Sequence, residues 1–560
     1  SKKLTNNEIV SASKIVETSG ADFVKTSTGF IGTGARSMLK KIFLVDVEFD
    51  MTTDGRRQSE KWDNQLQSKW SHHPLGLMYL VSSTRKTHPD IEFKILHTIT
   101  CDNAEEDIKN IISEFKPDLI GIRALSICSG EFKALAELVR KEAPKTPFIA
   151  GGPYASASYE CILGFSPPLV DLIVLGEGEI TFVELVTWLC EKGSLPSSLM
   201  GTVIPFEGGV KVNESRPIIE NLDVIPAPAY DVIKFEDYRG ISNHALQSAD
   251  TCAFIETSRG CTYKCYYCHA ALSKTVRRRS PQLVLDEISE HYHARGIRDF
   301  VFVDDIFNVP KKTGKAILRG IIELFPGVRI NFSNGLRADQ LDDEFLDLLE
   351  EAGTVHLALA IETAIPRLQK LIVKHLDIVK AKEIVQKCSK RFITCAFFIV
   401  GFPSETMEEA METVNFAKDL THLAQPVLSI CRVYRGTPLF DALNPTPEQA
   451  KLIDEQETAA CHAKLAGSNY FYGDFFPEEK VPLKGEGITS IRWEWMRNVT
   501  LNPNRVHNSY KVMKKFFTDD QVVNFYKNFM DNPNFSKNDL DKLLKMKTQH
   551  ESEPTKILSR

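Results

Sequence analysis

The chain is 560 residues long, with 43% hydrophobic and 25% charged residues and a formal net charge of −6. That composition belongs to ordinary globular domains, three or four of them by length. It excludes a basic nucleic-acid-binding surface, and no apolar run reaches the ~18 residues of a membrane span.

The twelve cysteines are scattered apart from one cluster. With no export signal in view they read as free thiols of a reducing cytoplasm. In chain order, residues 1–37 come first, with a helical pattern over 8–18 and a strand-like "ADFVKTSTGF". This stretch resembles one βα step of deoxyribose-phosphate aldolase, with Lys25 at that family's Schiff-base position. One such step cannot enclose a lysine in a closed barrel. The stretch is therefore expected to be a foreign or fused segment without a functional role.

From Met38 the chain alternates apolar runs with helical patterns. "KKIFLVDV", "FKILHT", "DLIGIRAL", "PFIAGG" and "DLIVLG" read as buried parallel strands, with helices over 104–115 and 130–142. The expectation is α/β: a doubly wound, flavodoxin-like domain over 38–205, whose ligand lies beyond the carboxyl ends of the strands. The residues there are small or polar: Leu75 in "HPLGLMYL", Ser126 in "SICSG", Gly151 and Gly152 in "GGPYAS", and Gly176, Glu177 and Gly178 in "GEGE". This ordered set resembles the cobalamin-binding domain that precedes many radical SAM enzymes. The D-x-H-x-x-G motif of cobalt-ligating domains is absent, and His72, His73 and His97 stand in other contexts. The resemblance then implies base-off cobalamin without a histidine ligand. A flavodoxin-like domain that has lost its ligand is the alternative. Residues 206–249 follow as a Pro-rich linker that includes "PIIENLDVIPAPAYDVIKFEDY".

Next comes "TSRGCTYKCYYCHA", with Cys261, Cys265 and Cys268 in a C-x3-C-x2-C pattern. Three thiolates leave one corner of a [4Fe–4S] cluster without a protein ligand, whereas a structural zinc site wants four ligands. The bland alternative is zinc with a distant fourth ligand such as His269. The pattern is the signature of the radical SAM superfamily, in which S-adenosylmethionine chelates the open iron. Six strand-like runs, at 252–257, 299–304, 328–333, 355–361, 394–400 and 427–433, alternate with helices. They fit the partial (β/α)6 barrel of that superfamily, placed at 250–440.

The resemblance assigns further residues. Tyr267 is the aromatic beside adenine. Asp304 or Asp305, in "FVFVDDIF", holds the amino group of S-adenosylmethionine, and Arg337, in "NGLRAD", its carboxylate. Glu362, ending "LALAIET", accepts from the ribose hydroxyls, and Gly401 with Glu405, in "GFPSET", forms the adenine-contacting segment. Residues 441–560 read as a mostly helical region that shapes the substrate site over the barrel mouth.

Together the two halves resemble the cobalamin-dependent (class B) radical SAM enzymes. The resemblance implies three cofactors: a [4Fe–4S] cluster, S-adenosylmethionine and cobalamin. It implies reductive cleavage to a 5′-deoxyadenosyl radical, hydrogen abstraction, and methylation of an unactivated carbon in a small-molecule or peptide substrate. An external flavodoxin- or ferredoxin-type donor would supply electrons. Ring-forming or rearranging chemistry is the runner-up within the family. A cobalamin carrier without catalysis, and a methylthiotransferase-like enzyme acting on RNA or protein, are the readings from outside it. The complete cysteine loop argues against the first, the isolated Cys101, Cys128 and Cys161 and the acidic balance against the second.

Overall fold

A computed structural model describes residues 24–26, 29–31, 39–48, 72–165, 167–238, 251–268, 273–453, 471–529 and 534–546. Strands β1 (Val24–Thr26) and β2 (Gly29–Ile31) pair as an antiparallel hairpin. The helix expected over 8–18 and the Lys25 side chain lie outside the described residues.

The first domain is built on β3 (Lys41–Val47), β4 (Glu92–His97), β5 (Leu119–Ala124), β6 (Phe148–Gly151), β7 (Leu172–Val174), β8 (Thr202–Phe206) and β9 (Gly209–Val212), in the order β4-β3-β5-β6-β7-β8-β9. The first five pair in parallel; β8 and β9 add an antiparallel hairpin at one edge. The sheet thus runs to Val212, past the expected boundary at 205. That hairpin was not legible because the exposed Phe206 and Val212 break the buried-strand pattern.

Both sheet faces are covered, and the period of two is visible along β3. Phe43, Val45 and Val47 pack on one face with helices Ala104–Phe115 and Ser129–Glu142. Ile42 and Leu44 pack on the other with helices Leu75–Thr87 and Glu179–Lys192. The chain crosses from β4 to β5 around β3, so the topological switch point lies between β3 and β5.

The second domain is a six-stranded parallel sheet: β10 (Ala253–Ile255), β13 (Asp299–Phe302), β14 (Arg329–Leu336), β15 (Thr354–Glu362), β16 (Ile393–Val400) and β17 (Gln425–Ile430), in sequence order. Long β15 is almost wholly buried, as the apolar run from Leu357 to Ile361 requires. Between β10 and β13 a two-residue hairpin, β11 (Ser258–Arg259) and β12 (Arg277–Arg278), brackets the cysteine loop.

The linker packs between the domains. Ala229 N–H donates to Met78 O at 3.2 Å, and the Tyr230 hydroxyl donates to Phe254 O at 3.1 Å. Buried His73 sits among the rings of Tyr230, Phe235, Tyr238 and Phe254, with centroids 4.6–6.3 Å away. Burial holds its pKa far below the usual histidine value.

The C-terminal region divides in two. Phe471 and Tyr472 pack at the end of β16, where the Tyr472 hydroxyl donates to Gly401 O at 2.8 Å. Phe471, Tyr472 and Phe476 are therefore core. Leu501, Val506, Met513, Val522 and Phe525 instead bury against Val355, Ile393 and Ala424, at the starts of β15 to β17. Helices Pro503–Met513, Asp519–Phe529 and Lys537–Lys545 thus brace the foot of the barrel, not the mouth that the sequence reading gave them. Among the described residues no helix is long and apolar enough to cross a membrane.

Candidate active site between the two domains

The carboxyl ends of both sheets face one cavity of ≈ 730 Å³, a size usual for ligand pockets. Its floor is first-domain: Leu44, Gly121 and Ile149 on the sheet, and Leu75, Leu77 and Leu80 on the facing helix. Leu44 leans over Gly121 so closely that a Cβ there would lie 2.7 Å from Leu44 Cδ2. Gly151, Gly152, Gly176, Glu177 and Gly178 form the rim. At Gly176 φ is +64°, and a Cβ would meet nothing within 4 Å, so it would project into open cavity. Among the residues expected to touch cobalamin, only Ser126 is not on the lining; it stands in the turn after β5, beside lining Leu125.

A buried charged pair sits at the switch point: Arg123 Nη1 lies 2.6 Å from Asp46 Oδ1. His72 also lines the cavity, its Nδ1 2.9 Å from His73 O. His73 and His97 do not. A deep apolar slot with a glycine rim fits a flat macrocycle and its tail.

The roof belongs to the barrel: Cys261, Cys268, Ser273, Lys274, Asp305, Ser333, Asn334 and Phe397. Gly260 lets the cysteine loop leave β11. It has φ +85°, and a Cβ would lie 2.4 Å from Thr275 O, so only glycine fits. Its N–H donates to Asp305 Oδ2 at 3.2 Å. The loop is pinned by Cys261 N–H to Ser273 O (3.1 Å) and Tyr266 N–H to Ile372 O (3.1 Å).

Burial raises the Cys268 thiol to about 11 against the opposing charge of Lys274. It raises Cys265 too, against Lys374. Among the described residues no three His, Cys, Asp or Glu side chains converge on a single ion. His269 lies outside the described residues.

The other expected contacts divide by geometry. Asp305 lines the cavity, and burial raises its carboxyl. Asp304 is turned inward: its Oδ1 accepts from Thr257 N (3.0 Å), Thr257 Oγ1 (2.7 Å) and Ser258 Oγ (2.6 Å). Arg337 spends its guanidinium on Asp339 (Nε–Oδ1 2.8 Å) and His375 O (3.1 Å), stacked over Tyr263. Glu362, at φ +68°, pairs with buried Lys374 at 2.6 Å and receives a hydrogen bond from Tyr267. The Glu405 carboxylate accepts from the N–H groups of Gly401 (2.5 Å) and Phe402 (3.0 Å). It acts as an anchor for that turn. Burial raises it to about 7.

Sequence reasoning missed the ion pairs joining the domains. Arg259 Nη1 lies 2.7 Å from Glu179 Oε1 and 3.3 Å from Glu177 Oε1, and its Nε 2.8 Å from Glu256 Oε1. Arg277 Nη1 lies 2.7 Å from Glu177 Oε2. Burial would raise Glu177, but hydrogen bonds from Arg277 and Ile219 N–H, with the Arg259 charge, hold it below the usual value. Partners 82 and 100 residues apart leave no local signal. Lys374 was equally silent, one lysine on an exposed-looking stretch.

Comparison with known proteins agrees with this geometry. The radical SAM superfamily matches residues 255–417, and the B12 binding domain matches residues 66–186. An uncharacterized methyltransferase of Pyrococcus horikoshii is 32% identical over 374 residues, covering 66% of this chain and 78% of the relative. The anaerobic magnesium-protoporphyrin IX monomethyl ester cyclase of Rubrivivax gelatinosus is 24% identical, covering 64% of this chain and 63% of the relative. Among solved structures, the cobalamin-dependent S-adenosylmethionine radical enzyme OxsB, with aqua-cobalamin and S-adenosylmethionine bound, superposes with a TM-score of 0.61. It is 16% identical over 88% of this chain and 70% of that one, a likeness of fold. The chain belongs to the cobalamin-dependent radical SAM enzymes, with a [4Fe–4S] cluster, S-adenosylmethionine and cobalamin as its cofactors.

Proposed function

We propose that this enzyme methylates an unactivated carbon of a small-molecule or peptide substrate, using cobalamin as the methyl carrier. The observation that carries the reading is the single cavity walled by the glycine rim of the first domain and by Cys261 and Cys268 of the second. When bound, the cluster supplies an electron to S-adenosylmethionine, and the corrinoid carries the methyl group. The chain's residues bind, orient and exclude water.

Asp305 offers a carboxylate for the amino group of the nucleotide, and Glu362, held by Lys374, one for the ribose. The Gly401–Phe402 turn, fixed by Glu405, offers backbone to adenine. Ser333, whose buried hydroxyl has no partner among the described residues, and Asn334 line the space left for substrate. Electrons come from a small external redox protein of flavodoxin or ferredoxin type.

The relative named a methyltransferase supports methyl transfer. The cyclase relative keeps a second reading open: ring formation with the same cofactors and no methyl delivered. Anaerobic incubation of the reconstituted enzyme with methyl-labelled S-adenosylmethionine and a host extract separates them. Label in a new product supports methylation. Deoxyadenosine released with no label transferred overturns it in favour of the cyclase.

A further inference from the structure

The hairpin of β11 and β12 is only two residues per strand, yet it closes the loop that carries all three cysteines. Its register sets Arg259 opposite Arg277. Like charges directly opposite on paired strands repel, and both guanidinium groups are buried, at 5% and 3% exposed. Water cannot screen them there. Arg259 has Glu179 at 2.7 Å and Glu256 at 2.8 Å, but one carboxylate bridges the two cations: Glu177 gives Oε1 to Arg259 at 3.3 Å and Oε2 to Arg277 at 2.7 Å.

For Arg277 it is the only carboxylate partner among the described residues. The other contact of that guanidinium is Ile219 O at 2.8 Å, and its Nε and Nη2 have no partner among the described residues. Glu177 belongs to the other domain, between Gly176 and Gly178 of the corrinoid rim. Arg259 stands two residues before Cys261.

We propose that Glu177 is a positioning residue for the cluster: its carboxylate, delivered from the cobalamin-binding domain, neutralises Arg277, bridges it to Arg259 and so closes the cysteine-bearing hairpin. The first domain then does more than seat a cofactor. It sets the shape of the loop that binds the second one, and ties the two seats through one side chain. The importance of that loop rests on the cluster reading, but the contact does not.

The test is hydrogen exchange on the cofactor-free full chain, comparing the starting protein with Glu177→Gln, Arg277→Gln and the double variant. The amides of Cys261, bonded to Ser273 O at 3.1 Å, and Arg279, bonded to Thr257 O at 2.9 Å, report closure of the hairpin. Glu177→Gln should speed their exchange about tenfold or more, since it strands a buried cation. Removing the second cation should restore it, so the double variant should exchange within about threefold of the starting protein. After reconstitution, iron release to a chelator should follow the same order.

Exchange in Glu177→Gln equal to the starting protein overturns the proposal. So does a double variant as fast as the single, because the carboxylate would then only fill space. The exchange readout needs neither iron nor corrinoid. A chain that takes up no cluster fails the functional reading and leaves this result standing.

Discussion

Lys374 Nζ lies 2.6 Å from Glu362 Oε1, with both side chains 8% exposed. Glu362, Val373 and His375 all hold positive φ, at +68°, +54° and +51°. Strained backbone persists only where its surroundings fix it. Here Gln369 donates to Ile361 O and Thr363 O, and Arg337 to His375 O. Lys374→Met should leave a buried, unpaired carboxylate and cost about 3–5 kcal/mol. Lys374→Met with Glu362→Gln should cost less. Urea unfolding checks this, and a single variant as stable as the double would contradict it. Affinity for S-adenosylmethionine should fall in both.

Alanine at Cys261, Cys265 or Cys268 should abolish the cluster. Iron analysis and visible absorbance after anaerobic reconstitution check it, together with deoxyadenosine formation from S-adenosylmethionine. Full iron content and continued reductive cleavage in the triple variant would remove the basis of the functional reading.

Gly176→Phe should lower hydroxocobalamin affinity by about 100-fold or more, roughly 3 kcal/mol. Its side chain would fill the seat, as the empty space at its Cβ indicates. Gly208→Phe is the control. It has the same backbone strain, at φ +81°, in the β8–β9 turn away from the cavity. The control should bind normally; equal losses in the two variants would assign the effect to strain instead.

Asp304 links stability to pH. Burial raises its pKa from 3.8 to about 6, despite hydrogen bonds from Ser258 and Thr257. The folded chain therefore binds this proton more tightly than the unfolded one. The resulting stability is present below about pH 4 and lost as pH rises to about 6, a loss of about 3 kcal/mol. Asp304→Asn should abolish that dependence. Its stability relative to the starting protein should improve by about 3 kcal/mol between pH 4 and pH 7.5. Urea titrations across that range giving a constant difference would contradict it.

Arg505 is fully buried and donates to four carbonyls: Val499 (2.7 Å), Leu420 (2.9 Å), Leu423 (3.0 Å) and Ala417 (2.6 Å). Three of these lie at or just beyond the carboxyl end of helix Met407–Asp419, where a cation is favoured. Arg505→Met should cost at least about 3 kcal/mol by stranding them. Hydroxocobalamin affinity should be unchanged, as the site is at the barrel foot.

What the sequence revealed tracks what is local. The strand runs of both domains emerged within a few residues of their expected limits, because fully buried parallel strands must be continuous apolar runs. The glycine rim and the three cysteines could be named because each is carried by one short, contiguous phrase. The roles of Glu177 and Arg259 could not. Their meaning arises only when residues 82 apart meet across a domain boundary. Asp304 and Asp305 looked equivalent side by side, and the loop after β13 turns one inward and leaves the other on the cavity wall. The region after Asn502 was recognisable as mostly helical, with a helix legible in "DDQVVNFYKNFM", but an amphipathic pattern does not say which pole of a barrel it will cover.

That pole has a consequence for how the reaction is kept dry. With those helices spent on the foot, the described wall facing the mouth is the cobalamin-binding domain. The slot beside Leu44 and Gly121 and the thiols of Cys261 and Cys268 line one and the same cavity. A ligand seated in that slot would therefore displace water from the chamber that the cysteine loop roofs.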